Sequence, residues 1–172
     1  LEYLDSFSLI CTSINSHINP ELPKLRPLKP YVAYDFSILE TDEIFDAVCP
    51  HIDFAITSCG DASMEEIQRR CKRIHQRGCR YVIASRGKNG SVFSDGEHLF
   101  THPAYLVEAL DTLGAGDSFL TAFLLSFVEW LEGNHDPSEL EGAVMAAMDA
   151  GSKFSAKTCM VHGAFGHGKQ FE

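Results

Sequence analysis

The run Asp111-Thr112-Leu113-Gly114-Ala115-Gly116-Asp117-Ser118-Phe119 combines residue types suited to moving a charged group. Two glycines flank an alanine, a carboxylate follows at once, and an almost unbroken apolar stretch then runs from Phe119 to Leu131. A turn of this kind opening a buried helix directs several backbone N–H groups at one point, where an anion is stabilised. Asp117 falls at the same place. An anion-binding nest beside a carboxylate suits phosphoryl transfer: the nest holds charge on the moving group, and the carboxylate takes the proton of the attacking hydroxyl. The bland alternative is a carboxylate that only complements the helix dipole. Two other nucleotide motifs are excluded, because the turn lacks the lysine of GxxxxGK[ST] and is not GxGxxG.

The surrounding chain reads as alternating strands and helices that position this turn. Ser8–Ile14, Tyr31–Phe36, Asp53–Thr57 and Arg80–Ser85 are short apolar runs that fit buried strands. The Pro-rich stretch from Asn19 to Pro30 cannot be one regular helix. Thr41–Val48 is a short helix with an acidic start. Ser63-Met64-Glu65-Glu66 forms a capping box that opens a helix with Met64, Ile67, Cys71 and Ile74 on one face, and Gly78 stops it. Ser91–Ser94 and His98–Thr101 form a hairpin around Asp95-Gly96, and Tyr105–Leu110 is a further strand delivering the turn. Gly116–Leu131 is apolar nearly all round and is expected to be buried, and from Pro137, with Asp136 as N-cap, a last helix runs to about Lys157. The tail from His162 is rich in Gly and His and reads as loop.

Strands without alternating polarity, separated by helices, indicate an α/β fold with a mostly parallel sheet covered by helices on both faces. In such sheets ligands bind beyond the C-terminal strand ends. Asp35, Ser58–Asp61, Ser85–Gly90 and Asp111–Asp117 all fall at such ends, so one shared site is expected.

Composition narrows the partners. Hydrophobic residues are 45% and charged residues 22% of the 172, as in an ordinary globular chain. A net charge of −10 argues against nucleic-acid or anionic-membrane partners, but not against a nucleotide held by local N–H groups and a metal. The six cysteines form no CxxC and lie in apolar stretches, which fits a reduced, cytoplasmic protein. The eight histidines show no metal-ligand pairing, and Trp130 reads as core or interface. The Arg69-Arg70 and Lys72-Arg73 cluster reads as the solvated face of an amphipathic helix. The sequence begins at Leu1 within what looks like a packed element, and reads as a piece of a longer chain.

The segment Asp111–Asp117 resembles the C-terminal signature of the ribokinase (PfkB) family of carbohydrate kinases. Ser85-Arg86-Gly87-Lys88-Asn89-Gly90-Ser91 resembles that family's nucleotide-phosphate loop, and His162-Gly163-Ala164 resembles its C-terminal Gly-Ala; order and spacing agree. Within the family, Tyr34–Ser37, His51–Ala55 and Ala156–Thr158 are most similar to the fructoselysine 6-kinases. The resemblance spans essentially all 172 residues, as the C-terminal two-thirds of such an enzyme. It implies a ribokinase-like domain whose N-terminal part and β lid, which carry the acceptor-binding residues, are absent from this chain. It implies ATP and Mg²⁺ as cofactors, with K⁺ in some members.

Carried over by position, Asp117 is the catalytic base and Gly114, Ala115 and Gly116 the anion hole. Ser85, Gly87 and Gly90 contact ATP phosphates, and Val107 and Ala146 lie beside the adenine. Asp111 and the carbonyl of Leu113 match a monovalent-cation site. Where many members have Asn-x-x-Glu, this chain has Ser58-Cys59-Gly60-Asp61, so Asp61, and Asp35 near it, are candidates for Mg²⁺. Arg86 replaces an apolar residue, and Thr121 replaces a small one. The implied activity is transfer of the γ-phosphoryl of ATP to a sugar primary hydroxyl, the 6-hydroxyl of fructoselysine first, with small-molecule partners and a dimer only through the lid. The rivals are a family member acting on another sugar or a nucleoside, and a nucleotide-binding module without turnover.

Overall fold

The central strands form because short runs of β-branched and aromatic residues are buried on both sides. The computed structural model describes residues 1–39, 41–164 and 167. A six-stranded sheet is ordered β1 (Leu9–Ser13), β2 (Tyr31–Asp35), β3 (Phe54–Ser58), β4 (Tyr81–Ser85), β5 (Ser91–Ser94), β6 (Leu99–His102). β1 through β4 pair in parallel, with Tyr34 opposite Ala55 and Ala55 opposite Val82. The chain divides into two compact units, residues 1–86 with 92–99, and residues 87–91 with 100–172.

In the first unit, one sheet face carries Val32, Tyr34, Ala55, Val82, Ala84 and Val92. It packs against Leu22 and Leu25, against Phe45 and Val48 of α1 (Asp42–Val48), and against Ile67, Cys71 and Ile74 of α2 (Met64–His75). The Tyr34 hydroxyl donates to Asn19 Oδ1 at 2.7 Å, so this buried aromatic leaves no orphan polar atom. On the opposite face the rings of Tyr31, Phe54, Tyr81 and Phe93 form a ladder across neighbouring strands, with centroids 6.0, 5.0 and 5.7 Å apart. Thr41 caps α1, and Ser63 with Glu66 forms the expected capping box on α2. The Pro-rich connection after β1 is a 3-10 turn over Asn19–Lys24 rather than an α-helix.

The cationic face of α2 is not simply solvated, contrary to its helical pattern. Arg73 pairs with Asp42 at 2.9 Å and lies over the Phe45 ring. Arg70 reaches back to the sheet and donates to Thr57 Oγ1 at 3.0 Å and Cys59 Sγ at 2.8 Å.

In the second unit, α3 (Ala115–Glu132) and α4 (Leu140–Cys159) are joined by Gly133–Glu139 and pack antiparallel. A Cβ on Gly151 of α4 would lie 2.8 Å from the Phe119 carbonyl oxygen and from its ring, so glycine sets the closest approach of the two helices. The Phe119, Phe123, Phe127 and Trp130 rings follow one another along α3, and Trp130 stacks on His135. Only one face of α3 is buried, through Phe119, Phe123, Leu124, Phe127 and Val128, while Leu125 is 61% exposed. The expectation of burial all round is corrected, because α4 covers one side. Residues 104–109 form no strand; the chain is irregular there, and the N–H groups of Leu110 and Asp111 donate to Cys159 O, at 2.8 and 3.3 Å, rather than to a ladder. Of the tail, residues 165, 166 and 168–172 lie outside the described residues.

Candidate active site

The first turn of α3 is built by a left-handed glycine. Gly114 adopts φ 79° as N-cap, a conformation that costs an L side chain roughly 1–2 kcal/mol. The Ala115 N–H donates to Thr112 O at 3.1 Å, so that group of the expected anion hole already has a partner. Among the described residues the N–H groups of Gly116 and Asp117 have none, and they open the positive end of α3. Gly116 has neither a positive φ nor any atom within 4 Å of where a Cβ would sit. Neither backbone conformation nor packing asks for glycine there, and its helix propensity is poor.

The Asp117 carboxylate is exposed and, among the described residues, accepts no hydrogen bond and pairs with no cation. Its backbone is held more firmly: Asp117 O accepts from Thr121 Oγ1 at 2.8 Å. The next residue, Ser118, is buried and shares a 2.6 Å hydroxyl–hydroxyl hydrogen bond with buried Thr158 of α4. Asp111 closes the other side. Its Oδ1 accepts from Leu113 N at 3.0 Å and its Oδ2 from Gly163 N at 2.9 Å. These N–H groups, Leu113's first, hold its carboxyl below the usual carboxylate range. The turn is thus fastened to the C-terminal end of α4 at Thr158, Cys159 and Gly163.

Elsewhere in this unit, residues 87–89 form a 3-10 turn, with Gly87 at φ 53° and Gly90 at φ 88°. A Cβ on Gly90 would stand 2.0 Å from His102 O, so this glycine also has a packing reason. Val107 and Ala146 are exposed. Nearby, Asp149 accepts from Lys153 Nζ at 2.7 Å and from the Tyr105 hydroxyl at 2.9 Å, pinning the irregular segment onto α4. Lys153, then Tyr105, holds the Asp149 carboxyl low.

At the C-terminal end of the parallel strands, in the first unit, the loops are stitched by backbone bonds. Ser58 N donates to Ser37 O at 2.9 Å, and Cys59 N to Ser85 O at 2.7 Å. This brings Asp35, Ser58–Asp61, Ser85 and Arg86 to one end of the sheet, as expected from their strand-end positions. Asp35 Oδ1 accepts from Ser37 N at 2.7 Å, and Ser37 takes φ 54°. Asp61, in the loop after β3, is exposed. Among the described residues no three His, Cys, Asp or Glu side chains converge as a metal cage. A Mg²⁺ held by one or two carboxylates plus phosphate oxygens needs no such cage. Sequence reasoning assigned no contact to Arg70, Asp149 or Thr158, because each acts by reaching to a neighbouring element.

No helix among the described residues is long and apolar enough to cross a membrane. A family model described as pfkB family carbohydrate kinase matches residues 37–164. The fructosamine kinase FrlD of Bacillus subtilis is 33% identical over 98% of this chain and 55% of its own length. The fructoselysine 6-kinase of Escherichia coli is 31% identical over 95% of this chain and 58% of its own. The chain therefore spans a little over half the length of these curated relatives. A ribokinase structure from Giardia lamblia superposes with a TM-score of 0.80 at 15% identity, covering 94% of this chain and 56% of that one. An aminoimidazole riboside kinase from Salmonella enterica, complexed with aminoimidazole riboside and an ATP analog, gives 0.69 at 18%, over 91% and 57%. At such identities the structural likeness establishes the fold.

Proposed function

The chain belongs to the pfkB family of carbohydrate kinases, and from that premise we propose that it is the C-terminal, nucleotide-binding and catalytic part of a ribokinase-like sugar kinase. The reaction is transfer of the γ-phosphoryl of ATP to a primary hydroxyl, with the 6-hydroxyl of fructoselysine as acceptor. The observation that carries the reading is the Asp117 carboxylate, without a partner among the described residues, beside the N–H groups of Gly116 and Asp117 that are likewise open. The relatives named for fructosamine and fructoselysine support the acceptor.

Asp117 takes the proton from the attacking hydroxyl as the new P–O bond forms. The N–H groups at the start of α3, reinforced by its dipole, hold the charge on the transferring phosphoryl oxygens. Ser85, Gly87 and Gly90 cradle the donor's phosphates, and Val107 and Ala146 border its base. Asp35 and Asp61 are the residues that would hold Mg²⁺, which when bound neutralises phosphate charge. The Asp111 carboxylate, kept ionised by two N–H donors, and the Leu113 carbonyl suit a monovalent cation.

The test is ADP release by the intact protein with ATP, Mg²⁺ and a panel of fructoselysine, fructose, ribose and a nucleoside. Fructoselysine is expected to give the highest kcat/KM. A preference for ribose or a nucleoside rejects the acceptor, and nucleotide binding without ADP release from any of them favours the binding-module reading. Gly116→Ala separates chemistry from folding. Thermal melting should show a protein as stable as wild type or more stable by up to about 1 kcal/mol, while its turnover falls at least about tenfold because the added Cβ stands where the phosphoryl group must approach the N–H groups. Unchanged turnover would remove Gly116 from the site.

A further inference from the structure

Arg86 is a half-buried cation that makes no ion pair among the described residues. It follows Ser85 directly, at the C-terminal end of β4 and beside that of β3, where parallel sheets take their ligands. The side chain is half-buried, and its Nε is fully buried with no hydrogen-bond partner. Its only polar contact among the described residues is a long 3.4 Å bond from Nη2 to Ala62 O, in the loop that also carries Asp61. Among the described residues no carboxylate pairs with it, although the chain holds 24 Asp and Glu against 14 Lys and Arg. Arg77, by contrast, is matched to Asp42 at 2.7 Å and Asp46 at 2.6 Å. A buried donor left without an acceptor is costly, and a guanidinium is the side chain whose donor fork fits phosphate oxygens.

We propose that Arg86 is a phosphate-binding residue, donating through Nε and the guanidinium fork to the terminal phosphates of the nucleoside triphosphate. This rests on the kinase reading for the identity of the donor, but not for the presence of a polyphosphate site. Position 86 then does more than shape the loop: it supplies a positive charge where an otherwise acidic protein must hold several negative ones.

The experiment compares wild type, Arg86→Leu and Arg86→Lys by calorimetric binding of ATP, inorganic tripolyphosphate and adenosine, alongside thermal melting. Arg86→Leu is expected to bind ATP and tripolyphosphate about 10- to 100-fold more weakly, as for loss of a charged hydrogen-bonding group. Its adenosine affinity and melting temperature should be unchanged or the latter raised, because a half-buried unpaired charge is removed. Arg86→Lys should be intermediate, keeping the charge without the fork. Wild-type ATP and tripolyphosphate affinity in Arg86→Leu overturns the proposal. So does a leucine variant that fails to fold while the lysine variant binds both at wild-type strength, since Arg86 would then be a structural cation. If no acceptor is phosphorylated by wild type but tripolyphosphate binding still depends on Arg86, the kinase reading fails and the phosphate site stands.

Discussion

Asp117→Asn in the intact enzyme is expected to lower kcat by about 10²- to 10⁴-fold, the usual contribution of a positioned general base, with ATP affinity little changed. The amide has the shape of the carboxylate and cannot take a proton. Folding offers no competing explanation of any size. The Asp117 side chain makes no hydrogen bond or ion pair among the described residues. Removing its charge from the first turn of α3 forfeits only about 0.3–1 kcal/mol of dipole interaction. The N–H groups of Gly116 and Asp117 are backbone and persist in the variant. Steady-state rates with equilibrium nucleotide binding on the same preparation check this, and near-normal turnover would sink the assignment of Asp117 as base.

Gly90→Ala carries the largest expected effect on stability. A Cβ there would stand 2.0 Å from His102 O and 3.0 Å from both His102 C and Pro103 Cα, all backbone atoms that cannot rotate away. The residue also holds φ 88°, a region costing an L residue roughly 1–2 kcal/mol before any overlap. Together these place the loss above about 4 kcal/mol, the range of strain combined with overpacking. Gly87→Ala is the control: φ is 53° but nothing lies within 4 Å, so its loss should stay near the conformational term alone. Urea unfolding of the two variants measures the difference. Equal stabilities would mean that the close approach of Gly90 to the end of β6 is not required.

The two glycines show what sequence can and cannot reveal about such a site. Both belong to motifs, yet Gly90 answers to a neighbouring backbone and Gly116 to open space. Only coordinates separate them. The strands were legible because β2, β3 and β4 are buried on both faces, so their apolar runs are continuous. The starts of α1 and α2 were legible because caps are local: Thr41 and Ser63 each accept the N–H their position requires, whereas Asp136 caps a 3-10 turn over Pro137–Glu139 and α4 itself begins at Leu140. The segment Tyr105–Leu110 has the composition of a strand but no pairing partner, and Leu106 is 76% exposed. Composition reports preference; a strand also needs a neighbour. Likewise, the helical pattern of α2 placed Arg70 on the polar side but could not show its reach to Thr57 and Cys59.

The contact between Gly151 and Phe119 has a consequence for inherited or selected variation. Position 151 bears no reactive group and lies in the middle of α4, so a change there would be filed as remote from the chemistry. Any side chain at that position must displace Phe119, two residues beyond Asp117 in the same helix. A valine or serine allele at 151 would then act on the first turns of α3 through Phe119, and a compensating allele should be sought at 119.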